Sequence, residues 1–125
     1  MLIAGIVSLN FSIDPLLQFR FNESRPSYFK GDNRLILPGI INHLAYDTVI
    51  AGTSLSKNTR PQDVHEIFNS HAINLAMSGS STYEQARVVT MALEKGGVNS
   101  VIWGFDPFMF HGDIQRGEEN LPPYL

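Results

Sequence analysis

Three short apolar runs, each breaking into a cluster of small residues, constrain what this chain can fold into. Val49-Ile50-Ala51 runs into Gly52-Thr53-Ser54, Ala72-Ile73-Asn74-Leu75-Ala76-Met77 into Ser78-Gly79-Ser80-Ser81, and Ser100-Val101-Ile102-Trp103 into Gly104-Phe105-Asp106-Pro107. Runs of this length without polar alternation suit strands covered on both faces, as in parallel sheets. Helical patterns fill the intervals. Thr59-Arg60-Pro61-Gln62 predicts a helix start with a hydroxyl N-cap and proline in the first turn, running to about Ser70, with Val64, Ile67 and Phe68 on the face that packs on the sheet. Ser81-Thr82-Tyr83-Glu84 predicts a capping box opening a longer helix, with Tyr83, Ala86, Val89, Thr90 and Leu93 on its packed face and Gly96-Gly97 as its stop. Strand, helix, strand, helix, strand with crossovers of this length requires parallel strands, and the expected product is a three-layer α/β sandwich. The three turns then share the carboxyl edge of the sheet, where open α/β folds bind ligands.

A chain of 125 residues with 43% hydrophobic content can bury one core, so one domain is the default. The net charge of -3, with acidic and basic residues interspersed, leaves no basic stripe for a phosphate backbone, so nucleic acid is not an expected partner. The absence of cysteine excludes a disulfide framework, a thiolate metal site and a cysteine nucleophile.

Met1 to Ile13 is apolar, but it stops at Asp14-Pro15, short of the roughly 20 residues a spanning helix needs. It also lacks the basic leader and cleavage site of a signal peptide. Three readings stand: the remnant of a membrane anchor, a buried element of the domain, or an atypical signal segment. The Asn120-Leu-Pro-Pro-Tyr-Leu125 end carries no closing element, and the chain reads as a fragment. Residues 1–15 are thus expected to be an anchor or signal remnant, 16–45 a surface connector, and 46–125 the amino-terminal part of the α/β domain. The basic residues of the connector, among them Arg20, Arg25, Lys30 and Arg34, read as solvated surface.

The chemistry concentrates at Ser54. A serine nucleophile needs a base, oxyanion donors and a group to orient the base. Ser54 follows a glycine at a strand end, where its own N–H and that of Gly79 on the neighbouring turn can converge on one oxygen. Asp106 occupies the third turn, where an asparagine would donate and an ionised aspartate accepts.

These residues resemble the SGNH/GDSL hydrolase superfamily. Gly52-Thr53-Ser54 is similar to its Gly-Asp-Ser block with threonine for aspartate, Gly79 stands at the second-block glycine, and Gly104-Phe105-Asp106 stands where a Gly-x-Asn-Asp block follows the third strand. The fuller pattern, Tyr-Asp-Thr-Val-Ile-x-Gly-Thr-Ser, Asn-Leu-x-Met-Ser-Gly, Tyr-Glu-Gln and Val-Ile-Trp-Gly-Phe-Asp-Pro-Phe, resembles membrane-anchored, SGNH-like bacterial envelope proteins whose amino-terminal helix ends in Asp-Pro, as Ser12-Ile13-Asp14-Pro15 does here. The resemblance spans about Asn10 to Phe110. It implies a flavodoxin-like α/β/α fold, an extracytoplasmic domain on an amino-terminal anchor, and esterase or O-acyl-transfer chemistry on an envelope polysaccharide or another acylated substrate. Carried over by position, Ser54 is the nucleophile, Gly79 and Ser54 supply oxyanion donors, and Asp106 is the third-block residue. The Asp-x-x-His block that supplies the superfamily's base does not occur in these 125 residues.

Of the four histidines, His65 and His71 read as solvated, and His43 lies at the amino edge. His111 alone falls near the carboxyl edge, as the candidate base. No histidine pair has i, i+4 spacing, so no metal site is expected, and no cofactor is expected either. Each singled-out residue also has a plainer reading: Ser54 as a turn hydroxyl, Asp106 as a turn residue before Pro107, and Trp103, Phe105, Phe108, Met109 and Phe110 as packing. Two other functions stand beside the enzyme: a non-catalytic envelope module binding polysaccharide or protein, and a flavin or nucleotide binder. The second lacks a Gly-x-Gly-x-x-Gly or P-loop pattern.

Overall fold

The structure, a computed structural model, describes residues 2–19 and 33–107. The chain divides into two compact units, Met1–Leu44 and Ala45–Leu125.

The first unit opens with helix α1, Leu2–Ile13, which carries no charged residue. Its apolar side chains are exposed all round, from Leu2 at 81% through Ile6 at 60% to Phe11 at 52%. Among the described residues no helix is long and apolar enough to cross a membrane. The helix ends at an elbow built on Asp14, whose buried carboxylate accepts the Gln18 N–H at 2.8 Å and the Phe19 N–H at 3.0 Å. Gln18 in turn donates its side-chain amide to the Leu35 carbonyl at 3.0 Å. Helix α2, Leu37–His43, follows within the stretch expected to be a connector. Pro38 lies in its first turn, no side chain caps it, and Leu37 and Ile41 are fully buried. Gly39 admits the Leu17 carbonyl against its backbone, where a Cβ would overlap it. A helix held by such contacts leaves little periodic signal in its seven residues.

The second unit contains a parallel three-stranded sheet in the order β2-β1-β3, with β1 at Thr48–Ala51, β2 at Ala72–Asn74 and β3 at Ser100–Trp103. Val49 pairs with Ile73 on one side and Val101 on the other. The mixed α/β character and the parallel sheet expected from the alternation are present. β2 is shorter than its apolar run because the Asn74 side chain accepts the Ala76 N–H at 2.9 Å, although Leu75 and Met77 still donate to Ile50 and Gly52 of the β1 segment. β1 is buried along its length, as a central strand is, while β3 is exposed at Ser100 and Val101.

Helix α3, Pro61–Phe68, joins β1 to β2, and α4, Thr82–Lys95, joins β2 to β3. α3 lies against β2 and α4 against β1. Both helices depart from expectation in which residues they bury. In α3 only Val64 is buried, whereas Ile67 and Phe68 are 72% and 66% exposed. Its N-cap is Arg60, not Thr59, and the first turn is closed by Arg60 hydrogen-bonding Asp63 at 2.6 and 3.0 Å. In α4 the capping box forms as expected, Ser81 accepting the Glu84 N–H at 3.2 Å and Glu84 accepting the Ser81 N–H at 2.8 Å. The buried face, however, is Gln85, Val88, Val89 and Ala92 together with Glu84, and Thr90 and Leu93 are exposed. The i, i+3, i+4, i+7 row that packs contains a glutamine, so a row chosen by hydrophobicity falls beside it. Gly96 and Gly97, with φ of 88° and 85°, end the helix as expected.

Candidate functional site at the carboxyl edge

The strand order reverses at β1, and ligands of open α/β sheets bind outside the carboxyl ends of the strands at such a point. Gly52-Thr53-Ser54 leaves β1 there, and Gly104-Phe105-Asp106 leaves the adjacent β3. The two turns meet. Thr53 Oγ1 donates to Asp106 Oδ2, joining residues expected only to share an edge. Gly104 N–H donates to the Ala51 carbonyl at 2.9 Å, carrying the strand pairing into the turn.

A third residue packs between these turns. Gly52 has φ of +144°, a conformation that L side chains rarely adopt, and a Cβ there would overlap Ser56 Oγ and approach the Gly104 carbonyl at 3.0 Å. A Cβ on Gly104 would overlap the same hydroxyl. The paired glycines thus make room for Ser56. Asn74 fixes the segment after it, donating its side-chain amide to the Ser56 carbonyl at 2.9 Å and the Thr59 carbonyl at 2.8 Å. Neither Ser56 nor Asn74 is singled out by sequence reasoning. The available signal was the pair of glycines flanking a small hydroxyl residue, which speaks only once the strands are known to be neighbours.

Ser54 lies exposed in the turn, and among the described residues no hydrogen bond engages its hydroxyl. Gly79 is exposed on the turn after Met77 with φ of +63°, and a Cβ there would meet nothing, so conformation rather than crowding selects glycine. Asp106 is half-buried and bound to Thr53. His111, the candidate base, lies outside the described residues, as do Phe108, Met109 and Phe110.

His65 and His71 sit away from this edge. They are exposed and stack on each other, with centroids 5.5 Å apart, and His65 Nδ1 lies 2.9 Å from the Ser70 carbonyl. The His71 N–H donates to Asp47 Oδ1 at 3.0 Å, which places the pair at the amino edge of the sheet. In the first unit, His43 Nε2 lies 3.0 Å from the Gln18 carbonyl. Among the described residues no cluster of three potential metal ligands forms.

Among the described residues, the groups with shifted titration also lie elsewhere. Burial pushes the Tyr46 phenol up, and desolvation holds the Lys95 ammonium below its ordinary value although the Tyr46 ring attracts it from 4.6 Å. The Asp63 carboxylate raises the exposed Arg60 guanidinium.

Trp103 and Phe105, expected to pack, form a stacked pair with centroids 5.5 Å apart in which Phe105 is 60% exposed. An exposed serine, a glycine turn beside it, a carboxylate held by a threonine and an open aromatic pair therefore occupy one end of the sheet. Such a set can present a hydroxyl nucleophile and backbone donors, and among the described residues of this unit it includes no histidine. No protein-family model, curated protein or solved structure matches the chain.

Proposed function

We propose that this chain is the amino-terminal part of an SGNH-hydrolase-like domain of flavodoxin-like α/β/α architecture, anchored at the extracytoplasmic face of a bacterial envelope through its amino-terminal segment. Its reaction is hydrolysis or transfer of an ester on an envelope polysaccharide or another acylated substrate, with Ser54 as nucleophile. The observation that carries this reading is the exposed Ser54 on a glycine turn at the strand-order reversal, braced through Thr53 by Asp106 of the next turn. Ser54 Oγ would attack the ester carbonyl, and the Ser54 and Gly79 N–H groups would receive the oxyanion. The proton would pass to His111 or to a base outside these 125 residues. From there it would go to the alcohol oxygen that departs as the ester C–O bond breaks, leaving the acyl group on Ser54 for water or a second hydroxyl to take. The uncharged α1, apolar and exposed all round, supports the anchor.

A fluorophosphonate probe on the full chain tests the assignment. Labelling of the wild type that disappears in Ser54→Ala supports it. Labelling that persists in Ser54→Ala, or a wild type that does not react, overturns it.

A second reading is favoured by Asp106: an ionised carboxylate at the third turn repels a developing oxyanion and accepts hydroxyl donors well. On that reading the edge is a non-catalytic module holding polysaccharide hydroxyls beside Phe105, and Ser54→Ala leaves glycan binding intact whereas Asp106→Ala weakens it.

A further inference from the structure

Gln85 is 1% exposed, in a row otherwise made of Val88, Val89 and Ala92. Glutamine is rarely fully buried, and an apolar side chain of similar length would satisfy the packing. Both ends of its amide are occupied. The Trp103 indole N–H donates to Gln85 Oε1 at 2.7 Å, and Gln85 Nε2 donates to Ser80 Oγ at 3.0 Å and to the Ser80 carbonyl at 3.3 Å. An indole nitrogen can only donate, so it fixes which end of the amide faces β3 and turns the NH2 group toward Ser80. The Ser80 hydroxyl, itself buried, has the Met77 carbonyl at 2.9 Å and the Gly52 carbonyl at 3.3 Å as acceptors. Gln85 thus links the end of β3 to the turn after β2, and the Ser80 hydroxyl extends the link to the turn after β1.

We propose that Gln85 is a positioning residue for the serine turn. Through Ser80 it holds the turn carrying Gly79 against the turn carrying Gly52 and Ser54, and through Trp103 it references both to β3. Ser80 follows Gly79 directly and Gly52 precedes Ser54 by two residues, so this strap sets the spacing of the two oxyanion donors. The inference rests on the nucleophile reading for its chemical consequence and on the hydrogen bonds alone for its mechanical one.

Two measurements on the full chain separate these. The first is amide exchange at Met77, whose N–H donates to the Gly52 carbonyl at 3.0 Å, and at Gly104, whose N–H donates to the Ala51 carbonyl at 2.9 Å, relative to Val64 in α3, in the wild type, Gln85→Met and Ser80→Ala. Ser80→Ala removes a single hydroxyl and serves where Gln85→Met fails to fold. Exchange of these two amides is expected to rise about tenfold or more over that of Val64. Equal acceleration everywhere, or no change at these two, overturns the proposal.

The second is the rate of fluorophosphonate labelling in Gln85→Glu, expressed as a ratio to the wild type at each pH. A neutral glutamic acid has one donor and one acceptor and rebuilds the strap, whereas the carboxylate loses the donor to Ser80. The ratio is expected near one where the acid is protonated and to fall about 10- to 100-fold as it ionises, the scale of effect of a misplaced reacting group. A ratio that does not change with pH overturns the link to chemistry. A wild type that does not label refutes the nucleophile reading instead, and amide exchange still decides the strap.

Discussion

Replacing Gly52 by alanine tests whether the edge is built around a crowded turn. Two costs add at this position. A φ of +144° is strained for any residue with a Cβ, at about 1–3 kcal/mol. The new methyl also overlaps Ser56 Oγ, meets Ser56 Cβ at 2.7 Å and the Gly104 carbonyl at 3.0 Å, an overpacking worth about 1–3 kcal/mol. Rotating Ser56 moves its hydroxyl but neither its Cβ nor the carbonyl, so relief by a rotamer change is incomplete. The sum, about 2–6 kcal/mol, is a large share of the 5–15 kcal/mol that typically separates a domain from its unfolded state.

Gly79 supplies the control. It too has positive φ, +63°, but a Cβ there meets nothing, so Gly79→Ala carries the conformational cost alone, about 1–2 kcal/mol. Urea unfolding followed by the emission of Trp103, the single tryptophan, measures both in the second unit. In a Ser56→Gly background Gly52→Ala is expected to recover the part of its cost due to Ser56, while Gly79→Ala is unchanged. Equal losses in Gly52→Ala and Gly79→Ala, or strict additivity of Gly52→Ala with Ser56→Gly, would refute the crowded-turn account.

Three further outcomes are expected. Thr53→Val removes the hydroxyl that donates to Asp106 and lowers stability by about 1.5–3 kcal/mol, whereas Asp106→Asn keeps an acceptor for Thr53 and costs less, as urea midpoints would register. Val64→Ala lowers stability by about 2 kcal/mol through lost burial and a cavity, while Ile67→Ala and Phe68→Ala stay within about 0.5 kcal/mol, an order opposite to their sizes. Burial raises the Tyr46 phenol, so the folded state holds that proton more tightly than the unfolded chain; its contribution is complete below the ordinary phenol value and is lost as pH rises through the raised one. Thermal unfolding between about pH 9 and 12 should therefore show a steeper alkaline loss in the wild type than in Tyr46→Phe.

Local chemistry was the most legible part of the sequence. The capping box at Ser81 and Glu84 and the glycines closing α4 are decided within a few residues, and the β1 and β3 runs read as strands because uninterrupted β-branched residues have few other uses. What stayed hidden depends on neighbours distant in sequence. Gln85 and Glu84 belong to the packed face of α4 because each polar atom finds a partner, which a hydrophobic period cannot register. Ile67 and Phe68 fit the helical period but remain uncovered, because a period shows which residues share a face and not whether anything lies over it. At the site, three turns on one edge followed from topology, while the Thr53–Asp106 bond, spanning 53 positions, followed from nothing local.

The Asp14 elbow gives the first unit a mechanical character. Asp14 and Leu17 both take positive φ, 43° and 56°, at about 1–2 kcal/mol each, so the bend would spring toward ordinary backbone if released. The carboxylate grips two N–H groups beyond the bend, and Gln18 reaches on to Leu35. The turn that ends α1 is therefore tied to the stretch carrying α2 at two points, the Gln18 amide on the Leu35 carbonyl and the Leu17 carbonyl seated against Gly39.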